Sequence, residues 1–240
     1  VSVTSALSEF INFLVSGEAP SSIRPFFAGA RLIALEKKGG GLRPITKCIM
    51  SCVKGAAVEE LSPFQMGIGV PCGGEVIPHT LRRMLSHNPA LHVLKVDLRN
   101  AFNNVFRKEI LEAVYHRFPS IFAWVQWCYH SPSPLFFGDY TIDSACGVQQ
   151  GDPLGPLLFC LVLDTIVRPI SDRCTLDLNV WYMDDGYLAG SEDELLKALD
   201  IIETEGTDLG IFLNREKCEL CGPSPTLQGL ADIPYSDDGF

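Results

Sequence analysis

The chain is short of positive charge: 19 Lys and Arg stand against 29 Asp and Glu, for a formal net charge of −10. Taken alone, that balance argues mildly against nucleic acid as a partner, because phosphate backbones are bound by basic surface. There is no apolar run long enough to cross a bilayer. The longest, "PLLFCLVLDTIV" around Phe159, is interrupted by Asp164 and predicts a buried core helix with no membrane partner. The opening "VSVTSALSEF" has no basic stretch and carries Glu9, which argues against a signal peptide. It begins with Val rather than Met, so a segment excised from a longer protein is expected. No repeat or low-complexity tract occurs, which excludes solenoid and array architectures. The nine cysteines are odd in number and lack a framework spacing. They predict reduced thiols and an intracellular setting, with nucleus and cytoplasm not distinguished. Cys48-x3-Cys52 and Cys218-x2-Cys221 supply two zinc ligands each without a partner pair, so buried or idle thiols are the simpler expectation.

What is present is a core and an uneven charge map. With 240 residues and 47% apolar composition, the chain can build one large domain or two small ones. From Ser21 to Lys54 the basic residues are Arg24, Arg31, Lys37, Lys38, Arg43, Lys47 and Lys54, against Glu36 alone. From Tyr182 onward the balance reverses, with only Lys197, Arg215 and Lys217 among many carboxylates. A basic patch facing an acidic, metal-ready site suits a nucleoside triphosphate; an ordinary uneven surface is the plainer alternative.

Periodicity and punctuation predict the elements. Residues 3–16 read as a short amphipathic helix. "ARLIALEKKGGGLRPI" reads as strand, Gly-rich turn and strand. Residues 74–87 read as a helix carrying Arg82 and Arg83, and 91–98 as a β-branched strand. Residues 107–130 are mostly helical, and 134–148 form a hairpin turning at Gly138-Asp139. A helix runs from Pro153 to about Arg168, with prolines in its first turn. "NVWYMDDGYLAG" is a tight hairpin with Asp-Asp-Gly at the bend. Residues 192–209 form a helix capped by Ser191 with Glu194 three residues on. "GIFLN" (210–214) is a short strand, and the chain after Cys221 has no periodicity. The alternation implies a mixed, largely antiparallel sheet backed by helices.

The chemistry begins with carboxylates. Asp97 ends an apolar strand, where an unpaired charge is costly. Asp184 and Asp185 sit at a bend between apolar strands. If those strands are neighbours, Asp97 and Asp184 approach each other, and divalent cations resolve the repulsion. Solvated turn aspartates are the bland alternative. A second copy, "PYSDDGF", follows a proline and has no strand after it, so Asp237 and Asp238 are expected to be solvated and idle.

Six segments stand in order: "LEKKGGGLRPI" (35–45), "FQMGIGVPCGGEVIPHTLRRML" (64–85), "VDLRNAFNNV" (96–105), "GVQQGDPLGPLLF" (147–159), "YMDDG" (182–186) and "LGIFLNREKCEL" (209–220). Together they resemble the reverse transcriptases of non-LTR (LINE-like) retrotransposons over roughly residues 31–221. The resemblance implies an α+β fold: the fingers and palm of a right-hand polymerase, an antiparallel palm sheet backed by helices, and an incomplete or absent thumb. Residues 1–90 would form the fingers with the basic hairpin 31–45, and 91–105 the palm strand with Asp97. Residues 106–145 would complete fingers and palm with helices and a hairpin. Residues 146–221 would be the palm, with the Gln-Gly helix, the Asp-Asp hairpin and the Lys217 strand. Residues 222–240 would be a tail.

The resemblance also implies roles. Asp97, the Leu98 carbonyl, Asp184 and Asp185 would hold two Mg2+ ions, with Mn2+ a possible substitute. Phe102 would exclude a 2′-hydroxyl by contact; a core Phe is its plain alternative. Asn100, Ala101, Gln150 and Gly151 would line the incoming nucleotide, and Arg31, Lys37 and Arg43 would clamp its triphosphate. Tyr182 and Met183 would lie near the primer terminus. Lys217 would protonate the leaving pyrophosphate, or be an ordinary surface lysine. Partners would be an RNA template, a DNA primer and dNTP, in an RNA-directed DNA polymerase. Departures are the stretch "TKCIMSCVKGAA", which lacks the arginine pair of this element class, and the absent primer-grip hairpin. An RNA-directed RNA polymerase and an inactive or binding remnant remain rivals. A nucleotide cyclase would leave "QQGDPLGP" without a role.

Overall fold

A computed structural model describes residues 3–23, 30–31, 43–137 and 139–236. The expected Lys37 clamp, the Gly39–Gly41 turn and the Asp237-Asp238 pair lie outside these residues.

In chain order the elements are α1 (Val3–Val15), β1 (Ala30–Arg31), α2 (Arg43–Leu61), α3 (Gly73–His87), β2 (His92–Val96), α4 (Ala101–Asn104), α5 (Arg107–Arg117), α6 (Pro119–Tyr129), β3 (Ser133–Phe137) and β4 (Tyr140–Ser144). They continue with α7 (Gly155–Arg173), β5 (Leu178–Tyr182), β6 (Asp185–Gly190), α8 (Glu192–Thr207), β7 (Glu219–Cys221) and α9 (Gln228–Ala231). The main sheet has the order β5-β6-β2-β7, all neighbours antiparallel. A smaller sheet has the order β1-β3-β4, with β1 parallel to β3. This is the helix-backed antiparallel arrangement expected from the sequence.

Alternation along β2 explains the layering. Leu94, Val96 and Leu98 point to one face and join the principal core with Trp181, Leu188, Leu220 and α7. α7 is apolar nearly all round, and twelve of its residues are buried, Asp164 among them. A helix so enclosed sits at the centre of its layer. Val93 points to the other face and packs with Ala189 under Ile77 and Leu81 of α3. The first turns of α3 also reach the β5–β6 hairpin, where Gly74, Ile77 and Pro78 line one pocket with Tyr182, Asp185 and Tyr187.

Asp164 is the one buried carboxylate of that helix. It is 3% exposed and receives Arg117 Nη2 at 2.7 Å and Arg168 Nε at 2.6 Å. Arg117 also binds Glu60 of α2 at 2.7 Å, so charges tie α2, α5 and α7 together. A buried charge of this kind is tolerated only with its partners in place.

Several expectations need correction. Arg43-Pro44-Ile45 begins α2 and is not a strand. Proline in a first helical turn forfeits no hydrogen bond, since those N–H groups have no partner inside the helix. The bend of the β5–β6 hairpin is Met183-Asp184: Tyr182 pairs with Asp185, which opens β6. Ser191 precedes α8 but makes no side-chain cap bond. Glu194 instead accepts the Thr175 N–H at 2.6 Å, so the capping box does not form. Residues 210–214 form no strand; Leu213 makes a single antiparallel bridge to Leu98. Lys217 lies in a 3-10 turn, Arg215–Lys217, before β7. The helix read as 153–168 runs from 155 to 173. Residues 222–236 are not a loose tail: Leu230 and Ile233 are buried, and Tyr235 bridges Leu220. Glu192 draws this segment in, accepting bonds from Thr226 and Leu227.

Asp164→Asn keeps the volume but leaves the Arg117 guanidinium without one of its carboxylates. Loss of about 3 kcal/mol of unfolding free energy is expected, read from urea denaturation at neutral pH.

Candidate active site

Register alone assembles the carboxylates. The β2–β6 ladder ends at Val96↔Gly186. One step further sets Asp97 opposite Asp185, and directly opposed Cβ atoms lie about 5 Å apart. Asp184 is in the adjoining turn. The same register pairs Lys95 with Tyr187 and with Glu219. Lys95, Asp97, Asp185, Tyr187 and Glu219 therefore share the face opposite the principal core.

The electrostatics follow from this crowding. Burial pushes the Asp184 carboxyl above its usual range; Asp185 and Asp97 push it further, against its own backbone N–H. Burial also raises the Asp185 carboxyl; Lys95 opposes that shift and Asp97 adds to it. Lys95 is itself held charged by Glu219, at 2.6 Å. Among the described residues, no group of three or more His, Cys, Asp or Glu side chains is arranged to hold a metal ion. The donor chemistry nevertheless suits one: hard carboxylate oxygens, partly desolvated and mutually repelling, are what a divalent cation neutralises.

Two loops hold this corner. Asn214 N donates to Asp97 O at 2.9 Å, and Asn214 Nδ2 to Asp97 Oδ1 at 2.8 Å. Buried Cys218 sits behind, its Sγ accepting the Asp97 N–H at 3.4 Å. On the hairpin side, Gly186 lies against the Trp181 indole, where a Cβ would stand 2.7 Å from the ring. A side chain at 186 would displace the strand that carries Asp185.

Beyond Asp97 the chain turns through Asn100, at φ 47, into α4. Leu98 is buried, and the bonds flanking its bridge use Asp97 O and Arg99 N rather than the Leu98 carbonyl. Ala101 is buried; Phe102 is partly buried and lies 4.6 Å, centroid to centroid, from Phe159. The Phe102 carbonyl accepts the Val148 N–H at 2.8 Å, which joins α4 to the loop bearing Gln150 and Gly151. Both of those residues are exposed, and Gly151 has φ 86, a conformation that favours glycine.

The Gln150 loop stands on a buried polar network that sequence reasoning missed. Arg107 Nε donates to Gly147 O at 3.1 Å and its Nη2 to Ser144 Oγ at 2.9 Å. The same guanidinium lies 5.4 Å from the Tyr129 ring centroid. Tyr129 donates to Asp152 Oδ2 at 2.6 Å, and Asp152 Oδ1 accepts the Leu154 N–H at 3.0 Å. Gln149 Nε2 donates to Ser133 Oγ at 2.8 Å.

Of the remaining expected residues, Tyr182 and Met183 adjoin the aspartates, with Tyr182 paired to Asp185. Tyr182 is exposed at the end of β5, with Met183 beside it at φ 55. Lys217 is exposed in its turn after Asn214. Arg31 is in β1, paired in register with Phe136, and Arg43 opens α2. Of the missed residues, Asn214 and Cys218 lay inside a quoted segment and Lys95 one residue outside another. Only the fold shows that they surround Asp97.

Comparison with known proteins gives this corner a family. Residues 35–229 match the family described as "Reverse transcriptase (RNA-dependent DNA polymerase)". The chain is 26% identical over 235 residues to the retrotransposable element SLACS 132 kDa protein of Trypanosoma brucei gambiense, covering 91% of this chain and 19% of that protein. It is 27% identical over 149 residues to a retrovirus-related Pol polyprotein from the type-1 retrotransposable element R2 of Nasonia vitripennis, covering 57% of this chain and 14% of that one. The chain thus spans about a fifth or less of the length of these relatives. Among solved structures, apo telomerase from Candida tropicalis truncated from its C-terminal domain superposes with a TM-score of 0.56 at 20% identity, over 76% of this chain and 42% of that one. Telomerase from Candida albicans in complex with a fragment of telomeric RNA gives 0.56 at 13% identity, over 77% of this chain and 34% of that one. These two likenesses show the fold alone.

A pH dependence of stability follows from the raised carboxyls. The folded state keeps protons on Asp184 and Asp185 at pH values where the unfolded chain has released them. Stability therefore falls as pH rises from the ordinary carboxylate range through their folded values. Without divalent cations, Asp184→Asn and Asp185→Asn should each raise the urea midpoint at pH 7 and leave it nearly unchanged near pH 3. Added Mn2+ should stabilise the native chain more than either variant.

Proposed function

Because the chain belongs to the reverse transcriptase (RNA-dependent DNA polymerase) family, we propose that it extends a primer 3′-end with deoxynucleotides on an RNA template. The observation that carries this reading is the carboxylate corner: Asp97 in register opposite Asp185, Asp184 in the next turn, and burial with mutual repulsion raising the latter two.

Asp97, Asp184 and Asp185 would hold the divalent cations, with Mg2+ the expected ion and Mn2+ a substitute. Bound there, such ions supply charge neutralisation at the attacking 3′-oxygen and the departing pyrophosphate. The chain's own residues position the substrates. Asn214 and Cys218 fix Asp97, and Lys95 tempers the charge of Asp185. The Gln150–Gly151 loop, standing on the Arg107–Tyr129–Asp152 network, would line the nucleotide. Phe102, whose ring lies near Phe159 and whose carbonyl is bonded to that loop, would contact the sugar. Arg31, Lys37 and Arg43 would bind the triphosphate, Tyr182 would face the primer end, and Lys217 would be the proton donor. Residues through 90 would form the fingers and 146–221 most of the palm.

The test is primer extension on an RNA template with dNTP and Mg2+. Asp97→Ala and Asp184→Ala should each reduce extension by about a thousandfold or more, as removal of a group that stabilises developing charge does. Phe102→Ala should admit ribonucleotides with little change in dNTP use. Extension that survives Asp184→Ala contradicts the metal assignment, and ribonucleotide incorporation by the native chain favours an RNA-directed RNA polymerase.

A further inference from the structure

The turn that carries Asp184 is gripped by a side chain more than a hundred residues earlier. Gln65 is 6% exposed. Its Oε1 accepts the Met183 N–H at 2.6 Å, and its Nε2 donates to the Met183 carbonyl at 3.2 Å. The same Oε1 accepts the Gly67 N–H at 2.9 Å. The amide thus satisfies both polar groups of one peptide residue, with its orientation set by the partners. The backbone around Gln65 is anchored to β5: Met66 N donates to Trp181 O at 2.7 Å, and Trp181 N to Phe64 O at 2.7 Å. Gly67 leaves the room for this approach, since a Cβ there would stand 2.7 Å from Met183 Cγ.

Met183 is the residue that needs holding. It has φ 55, a left-handed conformation that an L side chain avoids. That conformation decides the direction in which the next residue, Asp184, leaves β5. A non-glycine residue persists there only where its surroundings over-determine it. Here the surroundings are one buried amide and the glycine beside it.

We propose that Gln65 is a positioning residue for the active site, fixing the left-handed turn at Met183 and thereby the carboxylate of Asp184. The inference rests on the polymerase reading for its consequence and on Gln65 geometry for its cause. It also assigns work to the 64–67 segment, which the carboxylates and the nucleotide loop leave unexplained. Gln65 touches neither nucleotide nor metal in this role; it acts through the Met183 backbone.

The test measures Mn2+ affinity of the whole chain by the electron paramagnetic resonance signal of the free ion, alongside urea denaturation. The native chain is compared with Asp184→Asn, Gln65→Met, Met183→Gly and the Gln65→Met/Met183→Gly double variant. Gln65→Met keeps length and packing but cannot bind both Met183 groups. It should weaken Mn2+ binding about tenfold, and in primer extension lower kcat by about ten- to a hundredfold with dNTP KM within about twofold, the pattern of a misplaced group. Glycine adopts the left-handed turn unaided, so in the Met183→Gly background the same change should cost less than about threefold in Mn2+ affinity, a coupling that a purely structural role would not produce. Should Gln65→Met fail to fold by its urea transition, Gln65→Ala takes its place in the same cycle. Native-like Mn2+ affinity in the folded Gln65 variant, or an equal loss in both backgrounds, overturns the inference and leaves the polymerase reading intact. Mn2+ binding that ignores Asp184→Asn overturns the metal assignment within the polymerase reading, and this inference with it.

Discussion

Carboxylates that repel one another are held at one corner of a sheet, and the surrounding structure can be understood as what that requires. Left to water they would turn apart. Burial of the opposite sheet face on α7 makes that impossible, because moving β2 or β6 would expose Leu94, Val96 and Leu188. Hydrophobic packing on one side therefore supports electrostatic tension on the other. A typical domain has only a small net stability to spend on such tension, which is why the corner is so thoroughly bonded.

The bonding is done mainly by neutral groups. Asn214 takes Asp97, Gln65 takes the turn before Asp184, and Cys218 receives a backbone N–H. Amides and thiols can fix a backbone without adding charge to a place already crowded with it. Lys95 is the exception, and its own charge is divided between Asp185 and Glu219. The loop bearing Gln150 follows the same logic at greater depth: Arg107 is buried among carbonyls and hydroxyls, and Tyr129 stands between it and Asp152. In that arrangement Gln150 and Gly151 are left exposed.

Much of the fold was legible because its signals are local. Periodicity marked α3, α5 to α8 and the β5–β6 hairpin, and the apolar strand ending in Asp97 was plain. The misreadings have a shared cause: a residue's familiar role was assumed where its neighbours assign another. Arg43-Pro44-Ile45 was read as strand and instead begins a helix. Glu194 was read as a capping partner and instead binds Thr175. Residues 222–236 lack periodicity yet pack through Leu230 and Ile233, since two apolar anchors suffice for a short segment. In the site, the carboxylates were legible and their holders were not. The Gln65–Met183 bonds span 118 positions and the Asn214–Asp97 bond 117, and a side-chain amide bonding to distant backbone leaves no pattern in the chain.

The Gly after the paired aspartates was taken for a turn residue, but its φ is not among the left-handed ones and the bend lies before it. It is a hole, and the Trp181 indole fills it. Positions 181 and 186 therefore share one volume across two strands. Neither can enlarge unless the other shrinks, so any drift at these positions must proceed as a paired exchange. The constraint on Gly186, one residue from Asp185, is steric, and it comes from a ring buried in the principal core.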